Sequence, residues 1–233
     1  MPRIARVVAV AVPHHVTQRG SNRQQVFFSD AQRRFYLTLL AEHAERNWLT
    51  VLGYCLMPNH VHAVVVPMAE TAMAKAFGRT HNIYARHLNA LRRRSGHLWQ
   101  NRFYSAPLDR SHLLRALRYV DLNPVRARLV ERAEDYRWSS ARAHLTGIDP
   151  GGLVDLDAWR DICLDGDWAG ELAERGDADG AWAESVRAAT RAGKPLGEKK
   201  FVEKLAAASA ADLELRPRGR PRRKLMARAA GAR

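Results

Sequence analysis

Two histidines, His60 and His62, stand two positions apart at the start of a run of β-branched residues. Because side chains alternate across a strand, both imidazoles project from one face, and Val61, Ala63 and Val65 project from the other, where they can be buried. Neutral imidazole binds a range of divalent cations, so such a pair on a rigid strand can hold a metal ion. The alternative is a chance pair on a polar face.

The elements that must position this pair alternate between strands and helices. Hydrophobic patterning and capping residues predict a strand at 7–16, a helix from 30 to about 47 after the N-cap Ser29, a strand at 49–56, the histidine strand, a helix at 71–91, a strand at 98–105 and a helix at 111–122. This order predicts an α+β fold, a ferredoxin-like antiparallel sheet with helices packed on it.

The last of these helices carries a tyrosine that could act as a nucleophile. Leu113, Leu117 and Val120 form its apolar stripe, and Tyr119 lies roughly 150° around the helix from that stripe. A tyrosine in such a position is more often a partly buried filler than a catalytic group. Its chemistry fits the histidine pair, however, because a cation that binds the oxygens of a phosphodiester assists attack by a weak nucleophile such as a phenol.

The charge of the chain favours a polyanionic partner. Its 233 residues carry a net charge of +14 and give an isoelectric point near 10.6, which is typical of nucleic-acid binding, although a basic surface can also serve solubility alone. No apolar run approaches the ~20 residues of a membrane span, so we expect no membrane association. Cys55 and Cys163 are too few for a disulfide framework, so we expect a cytoplasmic, nucleoid-associated protein.

Composition divides the chain into three predicted parts. Residues 1–147 form the predicted catalytic domain, and 148–215 form a helical extension that begins acidic, with eleven Asp and Glu against three Lys and Arg between 149 and 187. Residues 216–233 form a basic tail that is too polar to fold alone. Within it, Arg218-Gly219-Arg220-Pro221 is similar to the core of an AT-hook, which enters the minor groove of A·T-rich DNA; the alternative is a solvated basic tail.

Several ordered motifs resemble one known family. The segment MPNHVH at 57–62 resembles the HUH motif of single-tyrosine transposases and related nucleases. Further segments at 15–23, 98–103, 118–127 and 136–140 are similar to one branch of that group, the REP-associated tyrosine transposases. Each segment is short, but their succession is specific and covers roughly residues 10 to 147.

The resemblance implies both a fold and an activity. It implies a ferredoxin-like domain of the HUH nuclease type, with Mg²⁺ or Mn²⁺ on His60 and His62 and with Tyr119 as the nucleophile. It places Asn123, one helical turn after the tyrosine, as the third metal ligand. The implied reaction is cleavage and rejoining of single-stranded DNA at a REP-like palindromic hairpin through a 5′-phosphotyrosine link.

Arginines near the motifs and in the tail are expected to bind DNA, namely Arg19, Arg23, Arg92, Arg93, Arg94, Arg102, Arg126, Arg218 and Arg220.

A non-catalytic regulator of the same fold that binds hairpin DNA is the main alternative function. The chain has no phosphate-binding Gly-x-x-x-x-Gly-Lys loop, so we expect no nucleotide cofactor. Whether it acts as a monomer or a homodimer stays open.

Overall fold

The computed structural model describes residues 7–163, 166–174 and 179–209. Within them the chain forms four strands, β1 (His14–Arg19), β2 (Leu49–Met57), β3 (His60–Pro67) and β4 (Tyr104–Pro107). It also forms nine α-helices, α1 (Asp30–Arg46), α2 (Ala72–Leu91), α3 (Arg110–Asp121), α4 (Asn123–Arg126), α5 (Ala141–Thr146), α6 (Leu156–Cys163), α7 (Trp168–Ala173), α8 (Asp179–Ala192) and α9 (Lys199–Ser209). None of these helices has both the length and the apolar character that crossing a bilayer requires.

The four strands form one antiparallel sheet in the order β2-β3-β1-β4. The first seven principal elements follow the predicted order, and the predicted α+β arrangement is confirmed. The central strands bring two segments of the chain together, because Thr17 lies opposite His62 and Arg19 lies opposite His60 across the β1–β3 pair. Directly opposed residues share a face of the sheet, so β1 and β3 contribute side chains to the same surface.

One face of the sheet is covered by α1 and α2. Val61, Ala63 and Val65 of β3 are buried there, as predicted, in a core that includes Leu40 and Phe77. The start of α1 is also confirmed, since the Ser29 hydroxyl accepts a hydrogen bond from the Gln32 backbone N–H. This face is the main apolar core, and it fixes the register of β3 so that both histidines project to the opposite side.

The other face is covered by α3 and by helices that follow residue 147. Val64 packs there with Leu117 of α3 and with Trp182 and Val186 of α8. The close approach of α3 depends on Gly53 in β2, because a Cβ atom at that position would lie 2.9 Å from Leu117 Cδ2. Part of the predicted C-terminal extension therefore packs directly on the sheet.

Three local predictions are wrong. The first strand begins at His14 rather than at residue 7, because Ala11 adopts a left-handed conformation with φ of +57° and Pro13 has no N–H to donate. It then runs on to Arg19, beyond the predicted end at residue 16, because residues 17–19 pair with β3. The fourth strand begins at Tyr104 rather than at 98, since the aromatic segment before it forms a loop in which Trp99 Nε1 donates to the His81 carbonyl.

Candidate active site

A cavity of about 620 Å³ lies between the face of β1 and β3 that α3 covers and the helices above it. It is lined by the four residues predicted for catalysis and metal binding, together with a set of polar and basic side chains. These residues are His60, His62, Tyr119 and Asn123, with His15, Thr17, Arg19, Arg23, Gln100, Tyr104, Arg126, Ala127, Arg187, Thr190 and Arg191. The fold thus brings together segments that are more than 100 residues apart in the sequence.

The histidine pair projects from one face of β3, as predicted, with ring centroids 4.9 Å apart and ring planes nearly perpendicular. The orientation of His60 follows from its neighbours. Asn59 Nδ2 donates to the Arg23 carbonyl, which can only accept, so Asn59 Oδ1 faces His60 Nδ1 at 2.6 Å. His60 Nδ1 must then carry the proton, and its Nε2 keeps a lone pair for a ligand.

His62 is held by a residue outside the predicted catalytic set. Its Nδ1 lies 2.9 Å from Nε2 of His15 in the neighbouring strand β1. His15 is completely buried, and its other nitrogen lies 2.7 Å from the Thr190 hydroxyl of α8. Both histidines of the pair therefore use Nδ1 for orientation, which leaves Nε2 as the nitrogen available to a metal ion.

The buried position of the imidazoles keeps them neutral at physiological pH. Burial, with a smaller contribution from the neighbouring Arg19, lowers the pKa of His60 to about 3. Burial also lowers the pKa of His62 well below its usual value, with smaller contributions from His60 and His15. Because only unprotonated imidazole binds metal, the pair is prepared for a cation without competition from protons near pH 7.

The aromatic ring of Tyr119 lies beside His62 of the same chain. Its ring centroid lies 5.5 Å from that of His62 and 5.9 Å from that of His15, in edge-on contacts with both. The Arg126 guanidinium lies 4.1 Å above the tyrosine ring, and Trp182 of α8 packs against its side. The residue is only 7% exposed, so the side of α3 away from the apolar stripe is covered rather than open to solvent.

A buried polar network fixes the end of α3 that carries the tyrosine. Asp121 is fully buried, and its carboxylate accepts hydrogen bonds from the Ser140 hydroxyl, His144 Nδ1 and Trp168 Nε1. The other nitrogen of His144 lies 2.8 Å from the Leu52 carbonyl of β2. This network joins α3 to α5, α7 and the sheet, so the tyrosine helix is anchored to its own chain.

Asn123 lies at the start of α4, one turn beyond the tyrosine. Its side chain does not cap a helix, because Leu122 occupies the N-cap position. Asn123 is buried, and its Nδ2 makes no hydrogen bond to any described residue. A buried amide nitrogen without a partner is rare, and as a donor it suits a water or phosphate oxygen. The atom of Asn123 that could bind a metal ion is Oδ1.

The donor set is compatible with a divalent cation, but it is sparse. In the described part of the chain, no group of three or more His, Cys, Asp or Glu side chains could hold a metal ion. A metal site in the cavity would consist of two imidazole nitrogens and the Asn123 amide, completed by water or substrate oxygens. This donor set binds Mn²⁺ more readily than Mg²⁺, because imidazole is a softer ligand than oxygen.

Comparisons with known proteins agree with this arrangement. Residues 9–123 match the family described as "Transposase IS200 like". The sequence motifs predicted a resemblance to REP-associated tyrosine transposases. That resemblance is confirmed, and the chain is similar to that branch.

One solved structure extends the comparison to the fold. A REP-associated tyrosine transposase bound to a REP hairpin is 15% identical, has a TM-score of 0.55, and aligns over 65% of this chain and 90% of its own. A Deinococcus radiodurans protein classed as a transposase is 17% identical, has a TM-score of 0.36, and aligns over 52% of this chain and 96% of its own. No curated protein matches the chain.

The predicted DNA-contact arginines fall into three groups. Arg19, Arg23 and Arg126 line the cavity. The second group, Arg92, Arg93, Arg94 and Arg102, lies outside it, at the C-terminal end of α2 and in the loop before β4. The third group, Arg218 and Arg220, lies with the whole tail 216–233 outside the described residues.

Sequence reasoning missed the contribution of α8 to the cavity. Arg187, Thr190 and Arg191 all line the cavity, although they lie within residues 148–215, which were predicted to form a separate extension. A usable signal was present, because Arg187 and Arg191 are four residues apart and share one face of a helix. Burial at the cavity also changes Arg19, whose pKa is lowered first by burial and then by Arg191 and Arg23.

Proposed function

We propose that this chain is a metal-dependent transposase that cleaves and rejoins single-stranded DNA at a palindromic hairpin through a covalent link to Tyr119. One observation supports this proposal above all others: the Tyr119 ring lies 5.5 Å from His62, inside a basic cavity and within one chain. A buried tyrosine with a purely structural role would not need two neutral imidazoles, an unpartnered amide and five arginines around it.

The proposed reaction is a phosphoryl transfer to the phenol. The Tyr119 hydroxyl attacks the phosphorus, forming a new O–P bond and losing its proton, while the bond to the 3′-oxygen breaks and that oxygen takes up a proton. A divalent cation held by His60, His62 and Asn123 would withdraw electron density from the non-bridging phosphate oxygens. The 5′-phosphotyrosine link conserves the energy of the broken phosphodiester bond. A 3′-hydroxyl from another strand can therefore attack this link and rejoin the DNA.

The arginines of the cavity would hold the DNA strand. Arg19, Arg23, Arg126, Arg187 and Arg191 approach from β1, the following loop, α4 and α8, so they surround the tyrosine. Phosphate contacts of this kind are independent of sequence and strongly dependent on salt. We therefore expect these residues to position the scissile phosphate rather than to select bases.

The proposed substrate is a hairpin with a short single-stranded flank. A solved protein of similar fold is bound to a REP hairpin, and a net charge of +14 is suited to a folded polyanion. We expect the flank to enter the cavity, where an unpaired strand would lie beside the tyrosine. The duplex part must then contact a surface outside the cavity, and Arg92, Arg93, Arg94 and Arg102 are candidates for this role.

The test is covalent capture of labelled DNA. Purified protein is incubated with a hairpin oligonucleotide that carries a label 3′ of the expected cleavage site, with Mn²⁺, and analysed on a denaturing gel. We expect a labelled protein adduct that Tyr119→Phe abolishes, whereas Tyr104→Phe, which removes a second phenol lining the same cavity, retains it. Binding of the hairpin by the wild-type protein without any adduct or cleavage would contradict the proposal and indicate a non-catalytic regulator.

A further inference from the structure

A chain of three buried side chains joins α8 to the histidine pair. His62 Nδ1 lies 2.9 Å from His15 Nε2, and His15 Nδ1 lies 2.7 Å from the Thr190 hydroxyl. His15 and Thr190 are completely buried and His62 is 4% exposed. Thr190 lies far beyond residues 9–123, the part of the chain that matches the transposase family.

The geometry of the two imidazoles is that of a hydrogen bond in a common plane. Their ring planes differ by 20° and their centroids are 5.1 Å apart. With the nearest nitrogens at 2.9 Å, this separation places the rings edge to edge rather than face to face. An N–H of one ring then points at the lone pair of the other, which fixes the orientation of His62 about its side-chain bonds.

The positions of the protons on these three hydrogen-bonded side chains decide whether His62 Nε2 presents a lone pair or an N–H to the cavity. Both rings are buried and hydrogen-bonded, and a neutral imidazole carries one N–H and one lone pair. In one order His62 donates from Nδ1 to His15, and His15 donates to Thr190. His62 Nε2 then keeps its lone pair, whereas the reverse order places a proton on it.

We propose that His15 and Thr190 are positioning residues that hold the His62 ring and stabilise the order in which its Nε2 can bind a divalent cation. The Thr190 hydroxyl accepts from His15, and His15 accepts from His62. This inference rests on the proposed function, which requires a cation at His62. It makes α8, from outside the matched family region, a part of the catalytic site.

A matched pair of variants tests the proposal, because the same two residue types meet elsewhere in the fold. Thr80 of α2 contacts His43 Nδ1 at 3.0 Å in the other core, and both residues are buried. Thr190→Val and Thr80→Val therefore remove equivalent hydroxyls. We expect Thr190→Val to weaken Mn²⁺ binding about tenfold, as measured by electron paramagnetic resonance titration without DNA, whereas Thr80→Val leaves it unchanged and Thr190→Ser restores it.

A spectroscopic measurement separates positioning from a merely structural effect. Long-range ¹H–¹⁵N correlation spectra report which nitrogen of each imidazole carries the proton. On addition of Mg²⁺ we expect His15 and His62 of the wild-type protein to be protonated at Nδ1, and we expect Thr190→Val to lose the single tautomer at His15.

The outcomes distinguish this inference from the proposed function. Wild-type protein that binds Mn²⁺ and forms the DNA adduct, together with a Thr190→Val variant of unchanged Mn²⁺ affinity and tautomers, would overturn the positioning role alone. Equal loss of affinity in Thr190→Val and Thr80→Val would also overturn it, because the effect would then be one of general stability. Wild-type protein that binds no Mn²⁺ would overturn both.

Discussion

His14 and His15 are adjacent in β1, yet they project to opposite faces of the sheet and meet different environments. His14 is held by the backbone of the segment before it, since its Nδ1 donates to the Val12 carbonyl and its Nε2 accepts from the Ala9 N–H. His15 is held by side chains from two distant elements, His62 of β3 and Thr190 of α8. Both are completely buried, so burial does not distinguish them.

The difference between these neighbours extends to the two faces of the sheet. On the face of α1 and α2, Val61, Ala63 and Val65 contribute to the larger apolar core. On the opposite face, buried polar side chains such as His15 and His62 line a cavity. Buried polar groups require specific partners, so the second face gains a defined arrangement of side chains rather than a larger apolar core.

The largest expected effect comes from removing an imidazole on the cavity face. We predict that His60→Ala lowers DNA cleavage at least about 100-fold. The reason is that it removes a side chain proposed to bind the cation, rather than one that only orients such a side chain. The affinity for hairpin DNA should stay within about threefold, because arginine contacts to phosphate dominate binding. Cleavage is followed on denaturing gels and binding by fluorescence anisotropy, in the same buffer.

The matched control is His14→Gln on the other face, which should retain cleavage at neutral pH. Parallel loss of binding and cleavage in His60→Ala would indicate that this histidine supports the fold rather than the reaction. A comparable loss of cleavage in His14→Gln would remove the functional distinction between the two faces.

Much of the fold was predictable because its signals are local. Ser29 marks the start of α1 through its own hydrogen bond to the backbone, and the alternation along β3 correctly separates the histidines from Val61. The wrong predictions concern segments whose structure depends on a partner that is distant in the sequence. The polar residues 17–19 extend β1 only because β3 supplies the ladder, and no local pattern in a polar segment predicts that pairing.

The same distinction applies to the candidate site. His60, His62, Tyr119 and Asn123 were found from motifs, and the structure brings all four to one cavity. Asp121 carried a local signal, because it lies four residues after Leu117 and therefore faces the same side of α3. Thr190 carried none, since its contact with His15 spans 175 residues and depends on how α8 packs.

An effect of intermediate size is expected when the pH is lowered, because protonation of His14, on the face covered by α1 and α2, reduces the stability of the fold. Burial lowers the pKa of His14 to about 4, whereas in the unfolded chain it is near 6.5. Between these values the unfolded state binds a proton that the folded state does not, so stability falls as the pH falls through this window. The total effect is about 3 kcal/mol at 1.36 kcal/mol per pKa unit.

The variant His14→Gln tests this prediction, because glutamine has no proton to take up. We expect the urea midpoint of the wild-type protein to fall more steeply between pH 6.5 and pH 4 than that of the variant. Identical slopes for the two proteins would show that His14 does not contribute to acid sensitivity.

The smallest expected effect concerns single arginines at the two faces. Arg191 of α8 lines the cavity, whereas Arg46 of α1 is exposed on the other side, where it pairs with Glu42. If Arg191 contacts one phosphate, Arg191→Gln should reduce the slope of log affinity against log salt by about 0.7 for a single strand. The measurement is anisotropy of a short unstructured oligonucleotide at several salt concentrations, and Arg46→Gln, with one positive charge fewer on the opposite face, is the control. Equal changes in slope for both variants would mean that net charge, rather than the position of Arg191 beside the tyrosine, governs strand binding.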